Sequence, residues 1–181
     1  DGISVAVTGG TGYLGSTLLR KLCSATGVRQ VVALDVAAPR GKVPDGPIVS
    51  YVEADVRDTA GLARVLTRFE VDVVFHCCAV IDLCPVMPDI VYDVNVNGTL
   101  SVIEACRQVK TVKTLVHTSS IDVTFTGDAV HNGSEAELGY PATPGRYNGY
   151  IHSKVLAEVA VLDANSRALR TVAIRPSHIY G

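Results

Sequence analysis

Charge is scarce in this sequence and long apolar runs are missing. Only 19% of the 181 residues are charged, and the formal net charge is −2. That balance gives no electrostatic argument for nucleic acid or an anionic membrane as a partner. No apolar run reaches the roughly 18 residues expected of a spanning helix, so membrane association is not visible in this segment, and no cleavable leader is recognisable. Paired cysteine spacings are missing too. The five cysteines (Cys23, Cys77, Cys78, Cys84 and Cys106) are odd in number and form no C-x-x-C pattern, which argues against a zinc site or a disulfide framework. They are expected to be small buried thiols in a reducing intracellular compartment, the cytoplasm or the cytoplasmic face of a membrane. Cys78 and Cys84 follow a strand that should end at a cleft.

What is present is apolar residue in short blocks: 48% of the sequence, with a mean hydropathy of +0.28, enough for a large core. Runs rich in Val, Ile and Leu fall at Ile3–Thr8, Val31–Asp35, Ile48–Glu53, Val71–Cys77, Thr114–Thr118 and Thr171–Arg175. Amphipathic stretches at Tyr13–Ser24, Thr59–Phe69, Asp89–Val109 and Gly149–Asn165 alternate with them. This pattern predicts an α/β fold, a Rossmann-type doubly wound parallel sheet with helices on both faces and right-handed crossovers. Residues 1–181 are expected to form one dinucleotide-binding domain. The sequence begins without Met and stops just after a strand, so a piece of a longer protein is expected, with the last strand at a sheet edge. The long irregular stretch Asp122–Tyr147, rich in Gly, Pro, Asn and Thr, is longer than an idle loop usually is.

Thr8-Gly9-Gly10-Thr11-Gly12-Tyr13-Leu14-Gly15 joins the first strand to the first helix. Gly9 would permit the turn, Gly12 would let backbone approach a pyrophosphate, and Gly15 would let the helix pack closely. Exposed N–H groups and the helix dipole would hold the phosphates. Asp35, ending the second strand, is placed to accept from adenosine ribose hydroxyls, which favours NAD over NADP. Arg40 is the nearest cation that would weaken that preference. Asp55, after the third strand, would either receive the adenine amino group or cap the helix near Thr59.

Tyr150 and Lys154 stand one helical turn apart in Tyr150-Ile-His-Ser-Lys154. A nearby ammonium favours the phenolate, the usual way to make tyrosine an acid or base near neutral pH. Thr118-Ser119-Ser120 ends the fifth strand, where alternation lets only one or two of the three hydroxyls face a site. Asn95 falls inside the long helical stretch, a poor place for asparagine by propensity. His76 lacks companion ligands, so no metal is expected. His117, His131, His152 and His178 are expected on the surface or in loops.

Taken together these motifs resemble the extended short-chain dehydrogenase/reductase family, along essentially the whole chain. The resemblance rests on Thr8 to Gly15, Val74-Phe75-His76-Cys77-Cys78-Ala79, Asn95-Val96-Asn97-Gly98-Thr99, Thr118-Ser119-Ser120, the Tyr150–Lys154 pair and Arg175-Pro176-Ser177-His178-Ile179-Tyr180-Gly181. Cys78 departs from the alanine usual in the family. Ser120-Ile121-Asp122-Val123 and Tyr150 to Glu158 bring the sequence closest to the 3β-hydroxysteroid dehydrogenase/isomerase branch.

The resemblance implies an NAD-dependent oxidoreductase acting on a secondary alcohol or ketone, with a 3β-hydroxysteroid or sterol favoured. Tyr150 would exchange the proton, Lys154 would hold ribose and lower the tyrosine pKa, and Ser120 would bond the reacting oxygen. Asn95 would serve a structural or proton-relay role near Lys154. Gly9, Gly12, Tyr13, Leu14, Gly15, Asp35, Asp55, Val56, Cys78, Tyr150, Lys154 and Pro176 would contact the dinucleotide. A small-molecule substrate and possible homodimer are implied, with no metal. The alternatives are a nucleotide-sugar 4-epimerase, a dihydroflavonol reductase-like enzyme, and a non-catalytic dinucleotide-binding protein.

Overall fold

Short blocks of β-branched and aliphatic residues pair side by side in the computed structural model, which describes residues 2–39, 48–83, 87–128, 131–135, 137–142 and 149–180. Among these, the strands are β1 (Ile3–Thr8), β2 (Val28–Asp35), β3 (Val49–Glu53), β4 (Val73–His76), β5 (Thr114–Thr118) and β6 (Arg170–Ile174). They form one sheet in the order β3-β2-β1-β4-β5-β6, with every neighbouring pair parallel. β1 therefore pairs on both sides, and the chain reverses its direction of travel across the sheet between β3 and β4. The expected Rossmann-type fold is the observed one.

Alternation along each strand divides the core into two layers. Val5, Val7, Val31 and Ala33 face Leu18, Leu19 and Leu22 of helix α1 (Tyr13–Cys23). Ala6, Val32, Leu34, Val74 and Leu115 face the other way. There they meet Leu62 and Leu66 of α2 (Thr59–Arg68) and Val102, Ile103 and Cys106 of α4 (Gly98–Gln108), with Val161 of α5 (Gly149–Asp163) in the same layer. Asp58 starts α2, its carboxylate accepting from the Gly61 N–H at 2.9 Å; Asp55 is not the cap. Gly12 starts α1 with no side-chain cap, which leaves the first-turn N–H groups for another acceptor.

The stretch expected as one helix over 89–109 is broken into three parts. A single turn α3 (Asp89–Tyr92) leads into a π-turn (Asp93–Asn97) before α4 begins. In the π-turn the Gly98 N–H reaches back to the Asp93 carbonyl. The Thr99 hydroxyl takes the Asn95 carbonyl at 2.6 Å. The wider turn faces Asn95 into the interior, where it is 2% exposed. The irregular stretch after β5 also has local order, a 3₁₀ turn at Ile121–Thr124.

β6 is the sheet edge, as expected. Its Val172 and Ile174 are 45% and 54% exposed, whereas Leu115 on the neighbouring strand is fully buried. Burial predicts a sharp contrast in unfolding. Leu115→Ala is expected to cost about 2–5 kcal/mol, and Val172→Ala about 0.5 kcal/mol or less. Urea titrations of the two variants check this, and equal losses would contradict the two-layer core.

Candidate active site

The turn after β1 is built on two glycines with different duties. Gly9 has φ +66°, a left-handed conformation that side chains disfavour, and a Cβ there would meet the Cys78 backbone at 2.9 Å. Gly15 lies so close to the turn that an added Cβ would run into the Gly9 carbonyl. Between them the Gly12 N–H donates to the Gly9 carbonyl at 3.0 Å. Asp35 braces the same turn: Oδ2 accepts from the Thr11 N–H at 3.1 Å and Oδ1 from the Ala37 N–H at 3.2 Å.

These residues line one groove of about 400 Å³ that runs across the ends of the parallel strands. Gly9, Gly12, Tyr13, Leu14, Gly15, Asp35 and Cys78 contribute to its wall, as do Thr118, Tyr150 and Lys154. The donor set fits a dinucleotide: uncapped helix N–H groups for phosphate, a carboxylate for ribose hydroxyls, and glycines where backbone must approach closely. Three of the expected contacts lie elsewhere. Asp55 is not in the groove lining; its carboxylate is taken by Arg57, with Nη2 at 2.6 Å and the Arg57 N–H at 2.9 Å. Hydrogen bonding to Arg57 holds its pKa below the usual value against a smaller opposing effect of burial. Val56 is turned into the core, 5% exposed, against Gly98. The Pro176 carbonyl accepts from the Ile121 N–H at 3.0 Å, beside Ser120. Arg40 and Cys84 lie outside the described residues.

Tyr150 and Lys154 project from the first turns of α5. Ser120 caps the 3₁₀ turn; it accepts from the Asp122 N–H at 3.2 Å and donates to Asp122 Oδ2 at 3.1 Å. The Ser120 hydroxyl is also near enough to Tyr150 to favour its phenolate. Ser119 is 3% exposed and its hydroxyl has no hydrogen-bond partner among the described residues, so Ser120 is the serine beside the tyrosine.

The expected lowering of the tyrosine pKa does not occur in this arrangement. Burial raises the Tyr150 pKa, the Asp122 carboxylate raises it further, and only the Ser120 hydroxyl opposes them. Lys154 is spent elsewhere: its ammonium donates to the Thr118 carbonyl at 2.6 Å. The lysine is 2% exposed, and burial pulls its own pKa from 10.5 down to about 8. The groove thus holds a phenol whose protonated form is favoured, beside a serine hydroxyl turned to Asp122.

Asn95 touches neither the tyrosine nor the lysine ammonium in this structure. Its Oδ1 accepts from the Val80 N–H at 2.8 Å, and its Nδ2 donates to the Val80 carbonyl at 2.9 Å and to Ser153 Oγ at 3.0 Å. It ties the segment after β4 to the residue preceding Lys154. His117 corrects another expectation. It is 1% exposed, its ring centroid 5.3 Å from that of His76, and burial drives its pKa well down. His131 and His178 are exposed and His152 is half-buried.

One constellation was not anticipated. Glu158 continues the four-residue spacing of Tyr150 and Lys154 and is fully buried. Arg175 grips it with Nη2 at 2.6 Å and Nε at 3.0 Å, and the Tyr140 hydroxyl donates to it at 2.8 Å. Arg175 also lies 5.6 Å from the Tyr140 ring centroid, within cation–π range. Burial would raise the Glu158 pKa, but bonds from Arg175 and Tyr140 hold it below the ordinary value. The cluster joins α5, the end of β6 and the loop ahead of Tyr150. The spacing Tyr150, Lys154, Glu158 was the available signal, since all three share a helix face.

The sequence profile of the 3-beta hydroxysteroid dehydrogenase/isomerase family matches residues 6–181. The chain belongs to this family. It is 32% identical over 187 residues to "Short-chain dehydrogenase/reductase family 42E member 1" of Homo sapiens, covering 98% of this chain and 46% of that protein. It is also 32% identical over 174 residues to "Sterol-4-alpha-carboxylate 3-dehydrogenase erg26, decarboxylating" of Schizosaccharomyces pombe, covering 95% and 49%. Among solved structures, UDP-glucose 4-epimerase from Brucella ovis in complex with NAD superposes with a TM-score of 0.77 at 28% identity, over 96% of this chain and 51% of that one. The chain therefore spans about half the length of the family relatives it matches.

Two outcomes follow from the buried charges. The folded Lys154 pKa lies below its unfolded value, so the unfolded state holds the extra proton between about pH 8 and 10.5. Stability should rise with pH across that window as the folded ammonium gives up its proton, and Lys154→Met should lack that rise in urea titrations. Arg175→Met strands a buried carboxylate, with an expected loss of about 3–5 kcal/mol. Tyr140→Phe removes one hydrogen bond to it, for about 1.5–3 kcal/mol; thermal unfolding would rank the two.

Proposed function

We propose that this protein is an NAD-dependent oxidoreductase that interconverts a secondary alcohol and a ketone on an apolar, sterol-like substrate. One observation carries the reading: a single groove has the glycine turn and Asp35 in its wall together with Tyr150 and Lys154, with Ser120 beside the tyrosine. A pure dinucleotide binder has no need of the latter three. Bound nicotinamide dinucleotide supplies the hydride acceptor or donor. The chain's own residues do the rest. The α1 N-terminus and glycine turn hold phosphate, and Asp35 accepts from ribose hydroxyls and repels a 2′-phosphate. Lys154, turned from the Thr118 carbonyl, holds the second ribose. Tyr150 gives its proton to the substrate oxygen during reduction and takes it back during oxidation, while Ser120, its hydroxyl turned from Asp122, donates to the same oxygen.

The surroundings of the tyrosine favour an apolar substrate. Ile81 and Ile179 line the groove with Tyr150 and are 71% and 47% exposed. Ile121 and Phe125, on the turn that begins at Ser120, are 51% and 42% exposed. Such walls suit a sterol ring system better than a nucleotide sugar. Membership of the 3-beta hydroxysteroid dehydrogenase/isomerase family supports the same choice. The second reading, a 4-epimerase acting on a nucleotide sugar, is favoured by the likeness to UDP-glucose 4-epimerase.

Assays of the full-length protein separate the two. Oxidation of a 3β-hydroxysterol that requires added NAD is expected; conversion of UDP-glucose without added NAD would overturn the sterol reading. Tyr150→Phe should lower turnover by about 10²–10⁴-fold with NAD affinity nearly unchanged. Lys154→Met should weaken both. Asp35→Ala should relax the preference for NAD over NADP in paired binding titrations, and a wild-type preference for NADP would remove the role given to Asp35.

A further inference from the structure

His76 sits fully buried on β4, in a line of hydrogen bonds that runs from the glycine turn to the π-turn. The Thr8 hydroxyl is 2.7 Å from Nδ1 and the Thr99 hydroxyl 3.0 Å from Nε2. Thr99 in turn donates to the Asn95 carbonyl at 2.6 Å, and the Cys78 N–H approaches Thr8 Oγ1 at 3.4 Å. Counting protons fixes the direction of this line. A carbonyl only accepts, so the single Thr99 hydroxyl proton is committed to Asn95. Thr99 Oγ1 can then meet Nε2 only as an acceptor, which places the ring proton on Nε2. Nδ1 is left bare and must accept from the Thr8 hydroxyl, whose oxygen remains open to the Cys78 N–H. Every bond in the line points from Cys78 through Thr8, His76 and Thr99 to Asn95.

The charge state suits this arrangement. Burial, with Lys154 adding to it, pulls the His76 pKa down to about 3, so the ring is neutral at physiological pH. Both ends of the line are places that matter. Thr8 leads directly into Gly9, and the Asn95 side chain holds Val80 and Ser153, next to Lys154. Inside the π-turn the Asn95 carbonyl takes a side-chain donor, the Thr99 hydroxyl.

We propose that His76 is a positioning residue whose neutral Nε2–H tautomer locks the Asn95 turn to the glycine turn and so fixes the start of the Tyr150–Lys154 helix. Its effect on turnover rests on the proposed oxidoreductase function; the tautomer and the lock do not. The test uses the full-length protein with 15N-labelled histidine, together with amide exchange at Val80. The His76 ring is expected as the Nε2–H tautomer at pH 7. Thr99→Val, which keeps the side-chain shape but removes the hydroxyl, should speed Val80 exchange and lower kcat, each about tenfold, with KM for NAD unchanged. Thr99→Ser restores the hydroxyl and should stay within about twofold of wild type on each readout.

An Nδ1–H tautomer, or equal exchange in the two Thr99 variants, overturns the lock. Unchanged kcat in a Thr99→Val enzyme with a loosened Val80 overturns its catalytic consequence. If Thr99→Val does not fold, the wild-type tautomer decides. Absence of turnover in wild type with every alcohol tried would speak against the oxidoreductase reading and leave the tautomer result standing.

Discussion

β1 is hydrogen-bonded in parallel to β2 on one side and β4 on the other, and the rest of the groove depends on that placement. A strand flanked by two parallel partners must send its chain out at the same end of the sheet as theirs. The turns after β1, β2 and β4 consequently open together, with the connections diverging to opposite faces. Gly9, Asp35 and Cys78 follow these three strands and meet around one opening. β5 and β6 add Thr118 and Pro176 at the same end. No single turn makes the groove; the common direction of the strands does.

Beneath α5 the interior is unusually polar. His76, Asn95, Thr99, His117, Ser153, Lys154 and Glu158 are each 2% exposed or less. Burying such groups costs several kcal/mol unless partners compensate, and most of them are tightly partnered. Asn95 satisfies three bonds, Glu158 is held by a bidentate guanidinium and a phenol, and His76 is bonded at both ring nitrogens. These bonds stabilise less than an apolar core of equal volume would, but each restricts geometry. They determine where α5 starts, how it is rotated and where the segments after β4 and β6 run. Lys154 carries the cost of this design openly, its ammonium destabilised by burial and held by the Thr118 carbonyl rather than by water.

The state of Tyr150 follows from the same balance. A carboxylate two residues beyond Ser120 raises the phenol pKa, and the nearest ammonium is committed to a backbone carbonyl. Acidity of this tyrosine is set by burial, Asp122 and Ser120. The residue pair alone does not decide it.

Much of this was legible in the sequence. Alternating aliphatic runs and amphipathic stretches gave the strands and helices to within about three residues, because period and β-branching act locally. The glycine spacing, Asp35 and the Tyr150–Lys154 pair were legible for a related reason: each is a short-range requirement of a turn, a strand end or one helical turn. Tertiary structure decided what distant residues do to one another. The π-turn inside the stretch 89–109 is invisible to periodicity, since the extra residue is stabilised by Thr99, Val80 and Ser153. His117 looked like a surface residue until β5 was placed centrally. That Asp55 pairs with Arg57 follows from the turn after β3 rather than from either residue's type. Glu158 and Arg175, seventeen residues apart, pair only because α5 folds back onto β6. Local sequence determined elements and turns, whereas burial and the partner each polar group finds across the fold determined protonation and position.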